Sequence, residues 1–172
     1  MPVGFTALLR AHEAALTQTW ADAVYAERRT DLPALLSYRQ LIEPLAEILA
    51  DWARLLDAAA AEPELAEAAR WLRRHAQVRF QQGCLLDEVA RELIILREVL
   101  TDFLWREGHA ATGGDLRALR AALRRTDALL DELLIQALVI YAASLRPPVR
   151  TRATPWPPPH RRKGLSKLDG DV

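Results

Sequence analysis

The sequence predicts an all-α fold, a single bundle of about five main helices, on three observations. Its apolar residues are dominated by Leu and Ala, and Val, Ile and aromatic residues are few. Leu and Ala favour helices, whereas strands want β-branched and aromatic side chains. The apolar positions also recur by threes and fours, the period of a helix face, and prolines and glycines mark the segment boundaries. At 172 residues the chain is long enough to bury one core.

The first helix is expected from about Phe5 to Arg28, with Leu8, Leu9, His12, Leu16, Trp20, Val24 and Tyr25 on one side. Asp31, Leu32 and Pro33 break it. A second runs from about Glu43 to Ala60, with Pro44 in its first turn, where no N–H is needed. The third starts near Pro63, with Glu62, Glu64 and Glu67 at the positive end of its dipole, and stops at Gly83. The fourth runs from about Leu86 to Glu107 and ends at Gly108; Leu86, Val89, Leu93, Leu96, Leu100 and Phe103 form its seam. After Gly113 and Gly114, Asp115 opens a fifth helix to about Leu145.

That fifth helix repeats Leu116, Leu119, Leu123, Thr126, Leu130, Leu133, Ala137 and Ile140 at heptad spacing. Its second half is apolar on nearly every side, so burial all round is expected. Either it is the central helix of one bundle, or part of it forms a dimer contact through Leu130, Leu133, Leu134, Ala137, Leu138 and Tyr141. The domain is therefore placed at residues 1–146, followed by a proline-rich tail, 147–172, expected to be disordered.

The formal net charge of zero hides an asymmetry. Residues 1–146 carry 17 arginines against 21 acidic residues, and the tail carries six cations against two aspartates. An acidic body argues against a nucleic-acid surface. A single cysteine, Cys84, leaves no internal disulfide and no cysteine-based zinc site. The first helix begins almost at once, so no secretory signal is expected, and the run Leu133 to Leu145 is too short to span a bilayer. A cytoplasmic protein is the expectation.

No phosphate loop, metalloprotease motif, paired cysteines or nucleophile elbow occurs. His12, His75, His109 and His160 lie on different segments without ligand spacing. Carboxylates alternate with arginines on helices, as in Asp87–Arg91 and Arg54–Asp57, which reads as a solvated face of weak ion pairs. A non-enzyme with no metal or cofactor is expected.

One stretch stands apart, Ala69 to Leu100. Arg79 falls on the apolar side of its helix with Leu65, Leu72 and Gly83. An arginine there must snorkel or find a partner, because an unpaired buried charge costs several kcal/mol. On the next helix, Glu92 and Arg97 lie roughly 70° to either side of the leucine seam. Folding back around Gly83 brings Arg79 opposite Ala90 to Glu92, so an Arg79–Glu92 pair is expected, with His75 one turn further along. His75, Arg79, Glu92 and Arg97 thus form either a polar pocket or switchable network, or an ordinary interhelical salt bridge.

The ordered set His75-x-x-x-Arg79-x-x-x-Gly83, then Glu92-x-x-x-Leu96-Arg97, resembles the core pattern of the RsbT co-antagonist (RsbRD-type) N-terminal sensory domain, found also ahead of some bacterial histidine kinases. The resemblance extends to Trp20, the LPALLSYRQL segment, Asp127 or Asp131, and Tyr141, and covers about residues 5–145. It departs from the pattern at Leu93, where the family usually has an aromatic. The resemblance implies a sensory input domain of stressosome or two-component type, with a globin-like helical fold lacking haem. The chain ends 26 residues past the helical body, so a stand-alone module is expected, acting as a homodimer or on a kinase or STAS-type regulator. The alternative is a ligand-binding sensor with its pocket between the last three helices; for haem, His75 is the candidate axial ligand. Arg161, Arg162 and Lys163 near Trp156 could bind anions weakly, and PWPPPHRR could be a peptide ligand, but a linker is the simpler reading of the tail. Cys84 reads as a small apolar helix-end residue.

Overall fold

Residues 4–58 and 62–145 are described by a computed structural model of the chain. They form six helices: α1 Phe5–Ala26, α2 Leu32–Leu35, α3 Tyr38–Asp57, α4 Glu62–Gln81, α5 Leu86–Ala111 and α6 Leu116–Leu145. The tail expected to be disordered, 147–172, and the expected helix end at Ala60 lie outside the described residues.

Helix ends follow local chemistry. Gly4 supplies no side chain to cap α1, so the Asp57 carboxylate, from the last residue of α3, accepts the Phe5 and Thr6 N–H groups at 2.5 and 2.9 Å. This fixes the antiparallel α1–α3 pair and places a negative charge at the positive end of α1. The expected Arg54–Asp57 pair is replaced accordingly: Arg54 bonds Asp51 at 2.6 Å. Gly83 has φ +81° and ends α4 in a Schellman motif, with Cys84 N–H donating to Arg79 C=O and Gly83 N–H to Phe80 C=O.

Three boundaries differ from the sequence expectation. The α3 helix starts at Tyr38 rather than Glu43, because Ser37 and Gln40 form a reciprocal capping box that puts Pro44 inside the helix. The α5 helix does not stop at Gly108 but continues to Ala111 and closes at Gly113 (φ +61°), with Gly114 N–H donating to His109 C=O. Gly108 is buried there, and a Cβ on it would lie 3.0 Å from Leu119 Cδ1, so the missing side chain admits α6 rather than breaking α5. The segment after α1 is not a bare break: Leu32–Leu35 makes one helical turn, with Leu32 and Leu36 buried. The Glu88 carboxylate holds it by accepting from the Thr30 hydroxyl and, at 3.0 Å, from Asp31 N–H.

The helices share one core. α1 packs on α3 and α5, and α6 lies against α5 and α4 with a lighter contact to α3. Trp20, Leu45, Leu49, Trp52, Leu96, Leu100, Leu104, Leu129 and Leu130 are enclosed. Burial of each such side chain stabilises the fold by about 1.5–3 kcal/mol. Trp52 sits 6.2 Å from Phe103, centroid to centroid, and its indole N–H donates to Thr126 Oγ at 2.9 Å. Thr126 donates in turn to Ala122 C=O at 2.9 Å. That chain satisfies every polar group the α3–α6 contact buries at this point.

Two expectations about apolar faces are corrected. Tyr25 is 48% exposed, off the core side of α1. The second half of α6 is not buried all round: Leu130, Leu133, Ala137 and Tyr141 face the chain's own core, whereas Ile135, Leu138 and Val139 stand 46–48% exposed. The first four therefore cannot form a dimer contact while the bundle is intact. Of the six residues assigned to that contact, Leu138 is on the surface and Leu134 is partly buried.

Candidate functional site

Three of the four candidate residues meet. Arg79, on the last turn of α4, is fully buried, and so is Glu92 on α5. The guanidinium has five N–H donors, and each finds an acceptor. Nε bonds the Glu92 carboxylate at 2.9 Å, and Nη2 bonds Glu92 Oε1 at 2.6 Å and Leu41 C=O at 2.9 Å. Nη1 bonds Gln40 C=O at 2.9 Å and Gln82 Oε1 at 3.0 Å.

The choice of Gln40 has a cause in the sequence. A helical carbonyl accepts from the N–H four residues on, and for Gln40 that residue is Pro44, which has none. Pro44 orphans the Gln40 carbonyl, and Arg79 supplies the missing donor from α4. One side chain therefore joins α3, α4 and α5.

His75 lies one turn before Arg79, its side chain 5% exposed, with Nε2 3.4 Å from Glu92 Oε2. The approach lacks hydrogen-bond alignment, and neither ring nitrogen has a hydrogen-bond partner among the described residues. Burial pushes the Glu92 carboxyl up, but the pull of His75 and the hydrogen bonds and charge of Arg79 outweigh it and hold the pKa at about 2.

Arg97 is not part of this cluster. It points to α6, where, half-buried itself, it pairs with the exposed Asp131 and lies 3.9 Å from the exposed Asp127. Its place on the opposite side of the leucine seam from Glu92 is the reason. The other residues of the pattern have packing roles: Tyr141 donates to Cys84 C=O at 2.5 Å, tying α6 to the α4–α5 turn, and Trp20 is enclosed. Burial drives the Tyr141 phenol up to about 12 and raises the Cys84 thiol, so neither ionises near neutrality.

A cavity of about 620 Å³ opens beside the cluster, between α3 and α4, rather than among the last three helices. His75 is the one candidate residue on its wall, and Gln40 and Gln82, two of the groups that hold Arg79, also line it. Sequence reasoning missed its α3 side, Glu43, Glu47 and Asp51, although their i, i+4, i+8 spacing places them in one row. Haem does not fit these residues: the His75 nitrogens are enclosed beside Glu92, and the row of carboxylates repels porphyrin propionates. Among the described residues no cluster of His, Cys, Asp and Glu is placed to hold a metal, and no helix is long and apolar enough to cross a membrane.

Neither the curated proteins nor the solved structures give a significant match. The sequence profile of the RsbT co-antagonist protein rsbRD N-terminal domain matches residues 14–154, a span that contains His75, Arg79, Gly83, Glu92 and Arg97. The chain belongs to the RsbT co-antagonist protein rsbRD N-terminal domain family.

Proposed function

We propose that this chain is a non-catalytic sensory and protein-interaction module of bacterial signal transduction, of stressosome or two-component type, working in the cytoplasm as a homodimer. The observation that carries the interaction reading is the outer face of α6, where Ile135, Leu138 and Val139 stand about half exposed on a helix whose other face is core. Exposed apolar residues grouped on one helix face are a candidate contact surface. Family membership supports the signalling context. The buried ion cluster supports the non-catalytic part: every Arg79 donor is used and Glu92 is held ionised away from solvent, which is how a structural lock is built.

Native mass spectrometry of the full chain tests this, with Ile135→Glu/Val139→Glu as the variant. A dimer that the double substitution converts to a folded monomer is the expected result. A wild-type monomer sinks the homodimer and turns the same face toward a kinase or STAS-type regulator, to be sought by mixing with candidate partners. A second reading, a ligand-binding sensor, is favoured by the α3–α4 cavity, whose volume lies in the range of small-molecule sites.

A further inference from the structure

We propose that the chain's own tail, residues 147–172, folds back along the outer face of α6 and covers the apolar residues there, so that a partner must displace it. The proposal rests on the interaction reading of that face and names its regulation.

The outer face of α6 is zoned. At ~100° per residue its exposed positions fall within about a third of the circumference, opposite the core side. Taken backwards from the C-terminal end, the first zone is apolar: Val139, Leu138 and Ile135. Asp131 and Asp127 come next, their side chains 60% and 55% exposed, with the single Arg97 guanidinium between two carboxylates. Arg124, Arg120 and Arg117 follow, all exposed and none in an ion pair among the described residues.

Leaving α6, the tail carries the complementary zones in the same order. Val149, Trp156 and a set of prolines come first, then Arg161, Arg162 and Lys163, then Asp169 and Asp171. A tail doubling back from Leu145 therefore lays apolar on apolar, cations on Asp131 and Asp127, and aspartates on the arginines; Arg150 and Arg152 would face water. The lengths suffice. From Leu145 back to Asp131 is about 21 Å of helix at ~1.5 Å per residue. Proline-rich sequence favours the polyproline form, and from Leu145 to Arg162 it spans up to about 53 Å at ~3.1 Å per residue. Tethering supplies a roughly millimolar effective concentration, so contacts that are individually weak are enough to hold the tail down.

The test places a nitroxide on Ser166→Cys in the full chain, where the native Cys84 is buried, and reads paramagnetic broadening of the backbone amide signals. Broadening is expected along α6 between Arg117 and Asp131. It should be lost in Arg161→Glu/Arg162→Glu/Lys163→Glu, a variant that changes no residue of the bundle, and in 1 M salt, where the screening length falls to about 3 Å. The charge-reversed tail should also dimerise about tenfold more tightly, its cover being gone. No broadening, broadening centred on another helix, broadening retained after charge reversal, or an unchanged dimer affinity would each overturn the proposal. So would equal broadening when nitroxide-free labelled chain is mixed with nitroxide-bearing unlabelled chain, since the tail then lies on a neighbour. Native mass spectrometry of the same samples separates the two readings: a dimer without the tail contact rejects the cover alone, and a monomer with it rejects the α6 dimer alone.

Discussion

Arg79 is the residue on which most of the local structure converges, because it answers two deficits at once: the buried Glu92 charge and the Gln40 carbonyl that Pro44 leaves without a donor. Arg79→Met should cost about 3–5 kcal/mol, since it strands an ionised carboxylate in the core; chemical denaturation measures it. Adding Glu92→Leu should recover most of that loss but not all, because the Gln40 carbonyl stays orphaned. Pro44→Ala in that background restores an N–H, and about 1 kcal/mol should return. In the wild type the same Pro44→Ala should add nothing comparable, as the carbonyl already has its donor. Glu92 also sets the acid limit. Its folded pKa, about 2, lies below the ordinary carboxylate value of 4.5, so its contribution is fully present above pH 4.5 and is lost as pH falls toward 2. That loss amounts to roughly 3 kcal/mol. A stability profile of Glu92→Gln should be flatter through this window, and an equally steep profile would assign the acid transition to other carboxylates. The Arg79–Glu92 pair was legible in sequence, because an arginine on an apolar face requires a partner and the Gly83 turn fixes the register. Arg97 shared the motif but not the place, since it projects from the other side of the α5 seam toward Asp131.

At the scale of elements, caps decided the boundaries that hydrophobic period alone misplaced. The Ser37–Gln40 capping box outweighed Pro44 as the start of α3, and its signal, Ser followed three residues later by Gln, was present in the sequence. Ser37→Ala should cost about 1 kcal/mol, and a change below a few tenths in urea unfolding would mean the box is ornamental. Gly83 and Gly108 show why glycine alone is ambiguous. At Gly83 a Cβ meets nothing within 4 Å, so Gly83→Ala should destabilise by about 1 kcal/mol through the backbone alone, φ being +81°. At Gly108 the backbone is helical and the constraint is Leu119, a partner that no local pattern announces. The Glu88 clasp on Thr30 and Asp31 is equally non-local, spanning 57–58 residues of chain.

For the whole molecule, the apolar content of α6 is divided between an inner face that belongs to the core and an outer face left open. The sequence argument that the second half of α6 is apolar on nearly every side was sound, but periodicity could not say which leucines the bundle would use. Thr126 illustrates the same limit: a polar residue at a heptad position is enclosed because Trp52, 74 residues away in sequence, needs an acceptor. Thr126→Val should therefore destabilise the bundle by about 1–3 kcal/mol, despite its better hydropathy, because it orphans a buried indole N–H; thermal unfolding checks this, and a gain in stability would refute it.

Composition and period by themselves determined the helical class, five long helices and the Gly83 turn, because these depend on interactions within a few residues: propensity, i to i+4 spacing and left-handed backbone. The Arg79–Glu92 partnership followed from that turn and from the cost of a lone buried charge. Tertiary structure alone decided which side of α6 is core, that Arg97 belongs to α6 rather than to the cluster, and that the cavity lies between α3 and α4. Those outcomes depend on which helices become neighbours, and neighbourhood is set by how all the apolar faces are shared among the helices, a balance no single segment contains.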